Sequence, residues 1–309
     1  MRLAAAALVV AFALAGCGLG PGKKLPGGAR LEVTRDFGQV HLYSTRVGTI
    51  RRDETVMRLL ESKRNVKTSY GGKFVDSIDG LSTSAAGGHS DWFYFVNGIE
   101  AAVGAADHTL SPGDVVQWDY RRWDATTRIP AIVGAYPEPF LRGSGGKRLP
   151  VRLECARPGG AACRTVQKRL SAEGVPASSG VLGSSAGGKT LRVLVGPWST
   201  LRSLSGAVSS LTKGPGASGV FARFTRDGRT LLLLDELGHT ARAAPPGSGL
   251  VAATADEGSQ PVWVITGVGA RGVQAAARAL DPRALRNAFA LAVTPTARVR
   301  LPIVGRAGG

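Results

Sequence analysis

The sequence predicts an α+β protein in which a small β-rich domain is followed by a basic α/β domain with pseudo-repeated strand–helix–strand units. Two observations support this prediction. Residues 29–136 contain short alternating apolar segments separated by turn residues, a pattern typical of strands in meanders and hairpins. Residues 137–309 instead alternate strand-like apolar runs with helical stretches, a pattern typical of an α/β layer.

The size and hydrophobic content of the chain indicate a folded protein. It has 309 residues, which is enough for two domains, and 43% of them are hydrophobic. That content provides a sizeable core and excludes a globally disordered chain. After the N-terminal segment, no stretch approaches the roughly 18 uninterrupted apolar residues of a membrane-spanning helix, which excludes a polytopic membrane protein.

The net charge of +17 is concentrated in the second half of the chain. Residues 29–136 contain 13 Lys/Arg and 13 Asp/Glu, whereas residues 137–309 contain 23 Lys/Arg and 9 Asp/Glu. The arginines are scattered, and eight of the ten Trp and Tyr residues lie in the neutral half. This separation argues against nucleic-acid binding and favours a solvated basic surface that meets anionic lipid or wall polymers.

The N-terminus predicts export and lipid anchoring. Arg2 precedes an apolar run over residues 3–14, and the sequence Leu-Ala-Gly-Cys at residues 14–17 matches the bacterial lipobox. We therefore expect a lipoprotein signal peptide at residues 1–16, an acylated Cys17 and a Gly/Pro-rich tether at residues 17–28. The protein would then be anchored to the outer face of the cytoplasmic membrane. The alternative is a plain signal peptide with a chance cysteine.

The remaining two cysteines predict a disulfide. With Cys17 acylated, Cys155 and Cys163 are free to pair in an oxidising compartment. A zinc site is disfavoured because two cysteines eight residues apart with no nearby histidine lack a ligand set.

The β-rich domain is assigned to residues 29–126. Asp53 is a plausible N-cap of a short helix that ends near Asn65. Asn97-Gly98 is the strongest hairpin signal in the chain. Strands are predicted at residues 30–35, 40–44, 74–81, 92–96, 99–103 and 115–120.

The order of several motifs in this half is similar to that of a known family. Tyr70-Gly71-Gly72-Lys73-Phe74, Trp92-Phe93-Tyr94-Phe95-Val96-Asn97-Gly98, Leu110-Ser111-Pro112-Gly113-Asp114 and Val116-Gln117-Trp118-Asp119-Tyr120 follow each other at family-like spacing. The segment at about residues 29–126 resembles the transcobalamin C-terminal-like domain, a family of small β-rich domains. In transcobalamins this domain closes over one face of cobalamin, so the resemblance implies a cobalamin or corrinoid ligand.

An aromatic face of this domain is the candidate ligand site. Alternation places Trp92, Tyr94 and Val96 on one side of a strand and Phe93 and Phe95 on the other. We expect one set in the core and the other at a flat apolar site suited to a macrocycle edge; the alternative is that the fold buries both sets. The predicted ligand-binding residues are Tyr70, Gly71, Trp92, Tyr94, Asn97, Gly98, Trp118 and Tyr120.

His89 lies in a Gly-rich loop before this strand. An exposed imidazole there could bind a metal such as corrinoid cobalt, and the alternative is a solvated loop histidine. We predict no other metal site.

The basic half is divided into a linker at residues 127–150 and an α/β domain at residues 151–309. A strand is predicted at residues 151–155, a helix at 163–173 and further strands at 230–235 and 250–254, the last two separated by a loop at 238–249. An approximate repeat relates strand 193–196, helix 200–211 and strand 219–224 to strand 264–267, helix 271–280 and strand 287–293. The alternative is convergent strand–helix alternation.

Three motifs of nucleotide-binding or hydrolytic proteins occur incompletely: two lack the flanking strand and helix, and the third lies between a strand and a helix but lacks its acidic residue. Residues 183–190 match the P-loop, but residues 176–180 do not read as a strand and a strand, not a helix, follows. The same glycines and serines spell a nucleophile elbow, with Asp235 and His239 after it, and lack the strand-to-helix turn. Residues 267–272 fit the dinucleotide fingerprint without its acidic residue, so their glycines are better explained by close helix–strand packing.

These observations favour a non-catalytic function. Four histidines and scattered acids offer no catalytic constellation, so we expect no enzymatic activity and no resident cofactor. We favour an extracytoplasmic lipoprotein that binds a small ligand and delivers it to a membrane transporter. The favoured ligand is cobalamin, a related corrinoid or another micronutrient. The alternative is an envelope interaction protein that binds a cell-wall polymer or a partner protein.

Overall fold

The computed structural model describes residues 24–82, 89–143, 145–184, 189–204, 206–256 and 258–305. The predicted signal peptide, the lipidation site Cys17 and the tether up to residue 23 lie outside the described residues. The chain is a mixed structure with more strand than helix. Within the described ranges, no helix has both the length and the apolar character needed to cross a membrane.

The first half of the chain is built on a five-stranded sheet in the order β2-β1-β8-β6-β7, in which β1 and β8 are parallel. A second, smaller sheet contains β3, β4 and β5. The strand β1 begins inside the segment predicted as a tether. The elements, in chain order, are β1 (Lys24–Arg35), β2 (Val40–Arg51), α1 (Val56–Glu61), β3 (Val66–Ser69), β4 (Phe74–Ile78), β5 (Leu81–Ser82), β6 (Ser90–Val96), β7 (Ile99–Glu100) and β8 (Asp114–Arg122).

The N-cap of α1 is Thr55, so the assignment of Asp53 to this position is wrong. The Thr55 hydroxyl accepts a hydrogen bond from the Arg58 backbone N–H at 3.2 Å, as an N-cap side chain does. Asp53 lies two residues before this position, and its carboxylate instead pairs with the Arg58 guanidinium at 2.7 Å.

The second half is built on a seven-stranded sheet in the order β10-β9-β11-β16-β15-β17-β18, in which β10, β9, β11 and β16 are parallel. A separate antiparallel sheet contains β12, β13 and β14. The elements, in chain order, are β9 (Val151–Cys155), α2 (Ala161–Ala172), β10 (Ala177–Val181), β11 (Leu191–Val195), α3 (Trp198–Leu201), α4 (Ala207–Ser210), α5 (Pro215–Ser218), β12 (Ala222–Phe224), β13 (Leu231–Leu234), β14 (Thr240–Ala243), β15 (Gly249–Thr254), β16 (Val262–Gly267), α6 (Gly269–Arg278), α7 (Pro282–Leu285), β17 (Ala290–Val293) and β18 (Arg298–Leu301).

The predicted repeat does not consist of two equivalent units. Strands β16 and β17 belong to the large sheet with β15 between them, whereas β12, which should correspond to β17, lies in the three-stranded sheet. The single helix predicted at residues 200–211 is replaced by the short helices α3 and α4. The chain therefore alternates between strand and helix in both segments, but the corresponding strands belong to different sheets. This agrees with the alternative of convergent strand–helix alternation.

Two loop predictions in this half are also corrected. Residues 176–180, read as non-strand, overlap β10, which pairs in parallel with β9. The loop expected at residues 238–249 contains β14, paired with β13. The P-loop-like segment thus follows a strand, but the strand β11 comes after it where a P-loop needs a helix. Residues 185–188 of that segment are outside the described part.

The glycines of the dinucleotide-like motif pack α6 onto the sheet, as the sequence predicts. A Cβ atom on Gly267 would lie 2.6 Å from the Gly272 carbonyl carbon, and one on Gly272 would lie 2.2 Å from the Ser248 carbonyl oxygen. No side chain fits at either position, so the motif is explained by close helix–strand contact.

The segment predicted as a linker, residues 127–150, is packed into the protein. Ile129 and Ile132 are buried in the core that covers one face of the large sheet, and Tyr136 and Phe140 are buried in the core that covers the other. Buried aromatic and branched side chains fix this segment against both halves of the chain, so it does not act as a flexible connection.

Candidate functional site

The predicted aromatic site is buried. The Trp92 indole N–H donates to the Leu81 carbonyl oxygen at 3.1 Å, and its ring lies 5.3 Å from that of Tyr120. The Tyr120 hydroxyl donates to the Ser82 carbonyl oxygen at 2.7 Å. These bonds tie β6 and β8 to the small sheet, so both side chains are core residues of the first half.

The neighbouring aromatic residues are also used by the fold. The Trp118 side chain is 2% exposed, and the half-buried Tyr94 packs 4.9 Å from it while its hydroxyl donates to the Val103 carbonyl oxygen at 2.6 Å. On the opposite face, Phe95 packs against Phe289 of the second half at 5.4 Å. Other elements pack on both faces of β6: Trp92, Phe95 and Val96 are buried, and Phe93 and Tyr94 are half-buried. The strand therefore does not present the expected open aromatic face, and the structure is closer to the alternative in which the fold uses both sets.

The Asn97-Gly98 turn has a structural role. Asn97 is fully buried and has a φ of 54°, and its amide donates to Asp114 Oδ1 at 2.8 Å and accepts from the Val115 backbone N–H at 2.9 Å. A Cβ on Gly98 would lie 2.8 Å from the Ile132 carbonyl oxygen. The turn therefore contacts protein on all sides and offers no side chain to a ligand.

Tyr70 and Gly71 form the exposed turn between β3 and β4, where the Tyr70 side chain is 84% exposed. The eight predicted contact residues are thus divided between this surface turn and the buried core. They do not form one binding surface.

His89 is exposed and held by a carboxylate. Its Nδ1 lies 2.8 Å from Asp124 Oδ1, and its ring stacks on Trp123 at 5.5 Å. This contact leaves Nε2 as the nitrogen that a metal could bind. In the described part of the chain, however, no group of three or more His, Cys, Asp or Glu residues is placed to hold a metal ion.

A cleft lies instead at one edge of the large sheet. The parallel strands β9, β11 and β16 are neighbours, so their carboxyl ends meet at this edge. After β9 and β16 the chain enters α2 and α6, which pack on one face, and after β11 it enters α3, which packs on the other. In open α/β sheets, such a divergence of neighbouring connections creates a crevice in which ligands bind.

This cleft has a volume of about 680 Å³ and a mostly apolar lining. Small-molecule sites in proteins typically enclose roughly 300–1,000 Å³. Alanine, valine and proline side chains from the ends of β9 and β11 and from α2 and α6 form its walls. The lining residues are Ala156, Arg157, Gly160, Ala161, Ala162, Cys163, Val195, Gly196, Pro197, Thr200, Ala270, Arg271, Val273, Gln274, Ala275 and Arg278.

Three arginines give the cleft a positive charge. Arg157 follows β9, and Arg271 and Arg278 project from the first and last turns of α6. All three are exposed, and none forms an ion pair with a carboxylate among the described residues. The lining contains no acidic residue. The positive potential of the cleft is therefore not neutralised by its own walls.

Gln274 of the cleft lining joins α6 to α2. Its Nε2 donates a hydrogen bond to Thr165 Oγ1 at 3.0 Å. Its Oε1 is buried and accepts no hydrogen bond from any described group, which costs free energy.

The predicted disulfide is confirmed and lies in the cleft wall. Cys155 at the end of β9 is bonded to Cys163 in the first turn of α2, with 6.0 Å between their Cα atoms. The loop that it closes contains Ala156, Arg157 and residues 160–162, all of which line the cleft. The bond therefore restricts one complete wall of the cleft.

Sequence reasoning missed this site for a clear reason. Its residues come from three segments, 156–163, 195–200 and 270–278, which are far apart in the chain. The glycine motif at residues 267–272 was the one signal near it, since a Gly turn after a strand marks the carboxyl edge of a sheet.

Residues 53–122 match a family model. The model is that of a domain of unknown function, DUF4430. The match covers α1, the small sheet and β6 to β8, and β1 and β2 lie before it. No curated protein matches the chain.

A solved structure that the chain resembles is that of a "putative metal binding protein" from Ruminococcus gnavus ATCC 29149. The two chains are 15% identical, with a TM-score of 0.24. The match covers 31% of this chain and 96% of the other.

Proposed function

We propose that this protein is a non-catalytic binding protein that captures a small ligand in the cleft at the carboxyl ends of β9, β11 and β16. The observation that carries the proposal is the position of the cleft, at the point where the connections after neighbouring parallel strands diverge. Its volume and its apolar walls suit a small organic ligand.

We further propose that the protein works outside the cytoplasmic membrane as a lipoprotein. The basis is the sequence of the N-terminal segment, in which Cys17 ends a lipobox. The disulfide between Cys155 and Cys163 supports this location, because such bonds persist in oxidising compartments. A tethered binding protein of this kind would deliver its ligand to a transporter in the same membrane.

The ligand that the family resemblance implies is a corrinoid. We propose that the DUF4430 domain is a transcobalamin C-terminal-like domain, on the order of its motifs from Tyr70 to Tyr120. Because its aromatic residues are buried, we assign the binding surface to the cleft. His89, oriented by Asp124, does not line the cleft, so a bond from His89 to cobalt would place the corrinoid beside Trp123 and Asp124 instead of in the cleft.

The test is a titration of the mature chain with Cys17→Ser, which removes the acylation site. The chain must begin before Lys24, where β1 starts. Hydroxocobalamin and cyanocobalamin are added while tryptophan fluorescence and the corrin absorption bands are followed. We expect saturable binding at a micromolar Kd or tighter, about −8 kcal/mol. Absence of binding at high micromolar concentration would remove cobalamin as the ligand.

Two variants locate the binding site. Ala270 lines the cleft and is exposed, so Ala270→Trp fills the cleft without disturbing the core. Ala297→Trp is the matched control, because Ala297 is exposed in the turn between β17 and β18. Loss of binding in the first variant alone supports the cleft as the binding site.

A third variant tests cobalt ligation. In His89→Ala, loss of the spectral change with hydroxocobalamin and not with cyanocobalamin would indicate that His89 binds cobalt.

A further inference from the structure

We propose that the cleft between α2 and α6 takes a ligand that carries a phosphoryl group on an apolar body. This inference rests on the proposed binding function and names the chemical class of the ligand. Two features support it: the arginines of the lining and the apolar walls.

The arginines indicate an anion. Arg157, Arg271 and Arg278 line the cleft, and the described residues provide no carboxylate partner for any of them. Other exposed arginines of this half, such as Arg283 and Arg298, also have no such partner among the described residues, so the three are distinguished by their position in one cleft lining. The planar guanidinium group binds phosphoryl oxygens with two parallel hydrogen bonds, so arginines in a cleft lining suit a phosphoryl group.

The helices add to this positive charge. The first turn of α2 and that of α6 both border the cleft. Neither helix has a side-chain cap or an acidic residue in that turn. Their free backbone N–H groups and helix dipoles therefore increase the positive potential that the arginines establish.

The walls indicate that the anion is part of a larger molecule. A volume of about 680 Å³ is far more than a bare phosphate ion needs. Ala161, Pro197 and Ala270 present apolar surface that a bare phosphate ion would leave exposed to water. An organic phosphate with an apolar body fits both the arginines and the apolar walls.

Phenyl phosphate is the probe that tests this class, with inorganic phosphate and phenol as its two halves. Binding to the mature chain with Cys17→Ser is measured by calorimetry at low salt. We expect phenyl phosphate to bind at least tenfold more tightly than either half. Equal affinity for phenol and phenyl phosphate would overturn the inference, because the arginines would then contribute nothing.

Charge variants distinguish binding in the cleft from non-specific attraction to the basic half of the chain. Arg157→Gln combined with Arg271→Gln should weaken phenyl phosphate at least tenfold. The matched control is Arg283→Gln combined with Arg298→Gln, which removes the same charge from exposed arginines outside the cleft lining. An equal effect of both double variants would overturn the inference and leave only non-specific attraction by the basic half.

Vesicles distinguish the source of the phosphoryl group. The chain is mixed with vesicles of phosphatidylglycerol in phosphatidylcholine, and with phosphatidylcholine alone as the control. If the ligand is a membrane lipid, the cleft double variant loses binding to anionic vesicles. If the ligand is soluble, vesicle binding is unchanged in that variant while phenyl phosphate binding is lost.

The results also separate this inference from the proposed function. Binding of cobalamin that Ala270→Trp blocks, without binding of phenyl phosphate, would leave the function in place and remove the phosphoryl class. Binding of phenyl phosphate alone would retain both the cleft function and the class and would remove the corrinoid. If Ala270→Trp affects neither ligand, the cleft is not the site and both fail.

Discussion

The Phe37 ring packs edge-on against the Phe221 ring, with 4.9 Å between their centroids. Phe37 belongs to the turn between β1 and β2, and Phe221 lies just before β12, so the contact joins the two halves of the chain. Phe37 also lies 5.4 Å from Phe289. A side chain of the first half is therefore part of the core of the second, and we expect the two halves to unfold as one unit.

Replacing Phe37 with alanine tests this coupling. The variant loses a fully buried aromatic ring and leaves a cavity between the halves, so we expect a loss of about 3–5 kcal/mol in the free energy of unfolding. Urea unfolding followed by tryptophan fluorescence and by circular dichroism measures it. Phe74→Ala is the control, since Phe74 is 41% exposed and should change stability by less than about 1 kcal/mol. If fluorescence and circular dichroism showed separate unfolding transitions in the unmodified chain, the two halves would not share a core.

The disulfide should stabilise the cleft wall more than the rest of the protein. In a chain with Cys17→Ser, the double variant Cys155→Ser and Cys163→Ser opens a loop with a sequence separation of 8. We expect a loss of about 2–3 kcal/mol, mainly from the entropy of the unfolded chain. Hydrogen exchange should become faster at residues 156–162, which the bond encloses. A reducing agent should affect the parent chain and leave the double variant unchanged; an effect on both would point to another cause.

Local sequence patterns predicted strands better than they predicted what covers them. The alternation around Trp92 and the Asn97-Gly98 signal correctly placed β6 and the turn after it. Whether Phe95 faces solvent depends on Phe289, almost two hundred residues later, and alternation within one strand contains no such information. The predicted open aromatic face failed for this reason.

The cleft shows the same limit for functional residues. Arg157 and Arg271 are ordinary scattered arginines in the sequence, and only the parallel order of β9, β11 and β16 brings them to one edge. The disulfide could be predicted from two remaining cysteines eight residues apart and from the expectation of an oxidising compartment. A site assembled from three connections needs the topology, which neither composition nor motif spacing specifies.

Gly272 should be essential for the contact between α6 and the large sheet. A Cβ at this position would lie 2.2 Å from the Ser248 carbonyl oxygen, so Gly272→Ala must move the helix or the strand. We expect a loss of about 1–3 kcal/mol, as for other overpacked positions, although alanine is the better helix former. Gly48→Ala is the control because a Cβ there meets nothing within 4 Å. Thermal unfolding of both variants measures the difference; equal stability would show that the contact is easily relieved.

Asp119 holds the turn that presents Phe37 to the second half. Its carboxylate accepts from the Phe37 and Gly38 backbone N–H groups at 3.0 and 2.8 Å and from the Thr34 hydroxyl at 2.6 Å. Burial raises the pKa of Asp119 to about 7, against the opposing effects of these donors and of Arg121. The unfolded chain releases this proton near pH 4, so the folded chain binds more protons between about pH 4 and pH 7. The contribution of Asp119 to stability therefore falls as the pH rises through this window.

Asp119→Asn isolates this contribution from the other titrating groups. The variant cannot ionise at this position, so the difference in unfolding free energy, parent minus variant, should fall between pH 4 and pH 7 by an amount on the order of a few kcal/mol. It should be constant below and above that window. Urea titrations of both chains at half-unit pH steps measure this difference in unfolding free energy. The slope of the difference against pH does not depend on any pH-independent change in stability that the asparagine amide causes. A difference that rises with pH would instead show that Thr34, Gly38 and Arg121 outweigh burial and keep the carboxylate ionised.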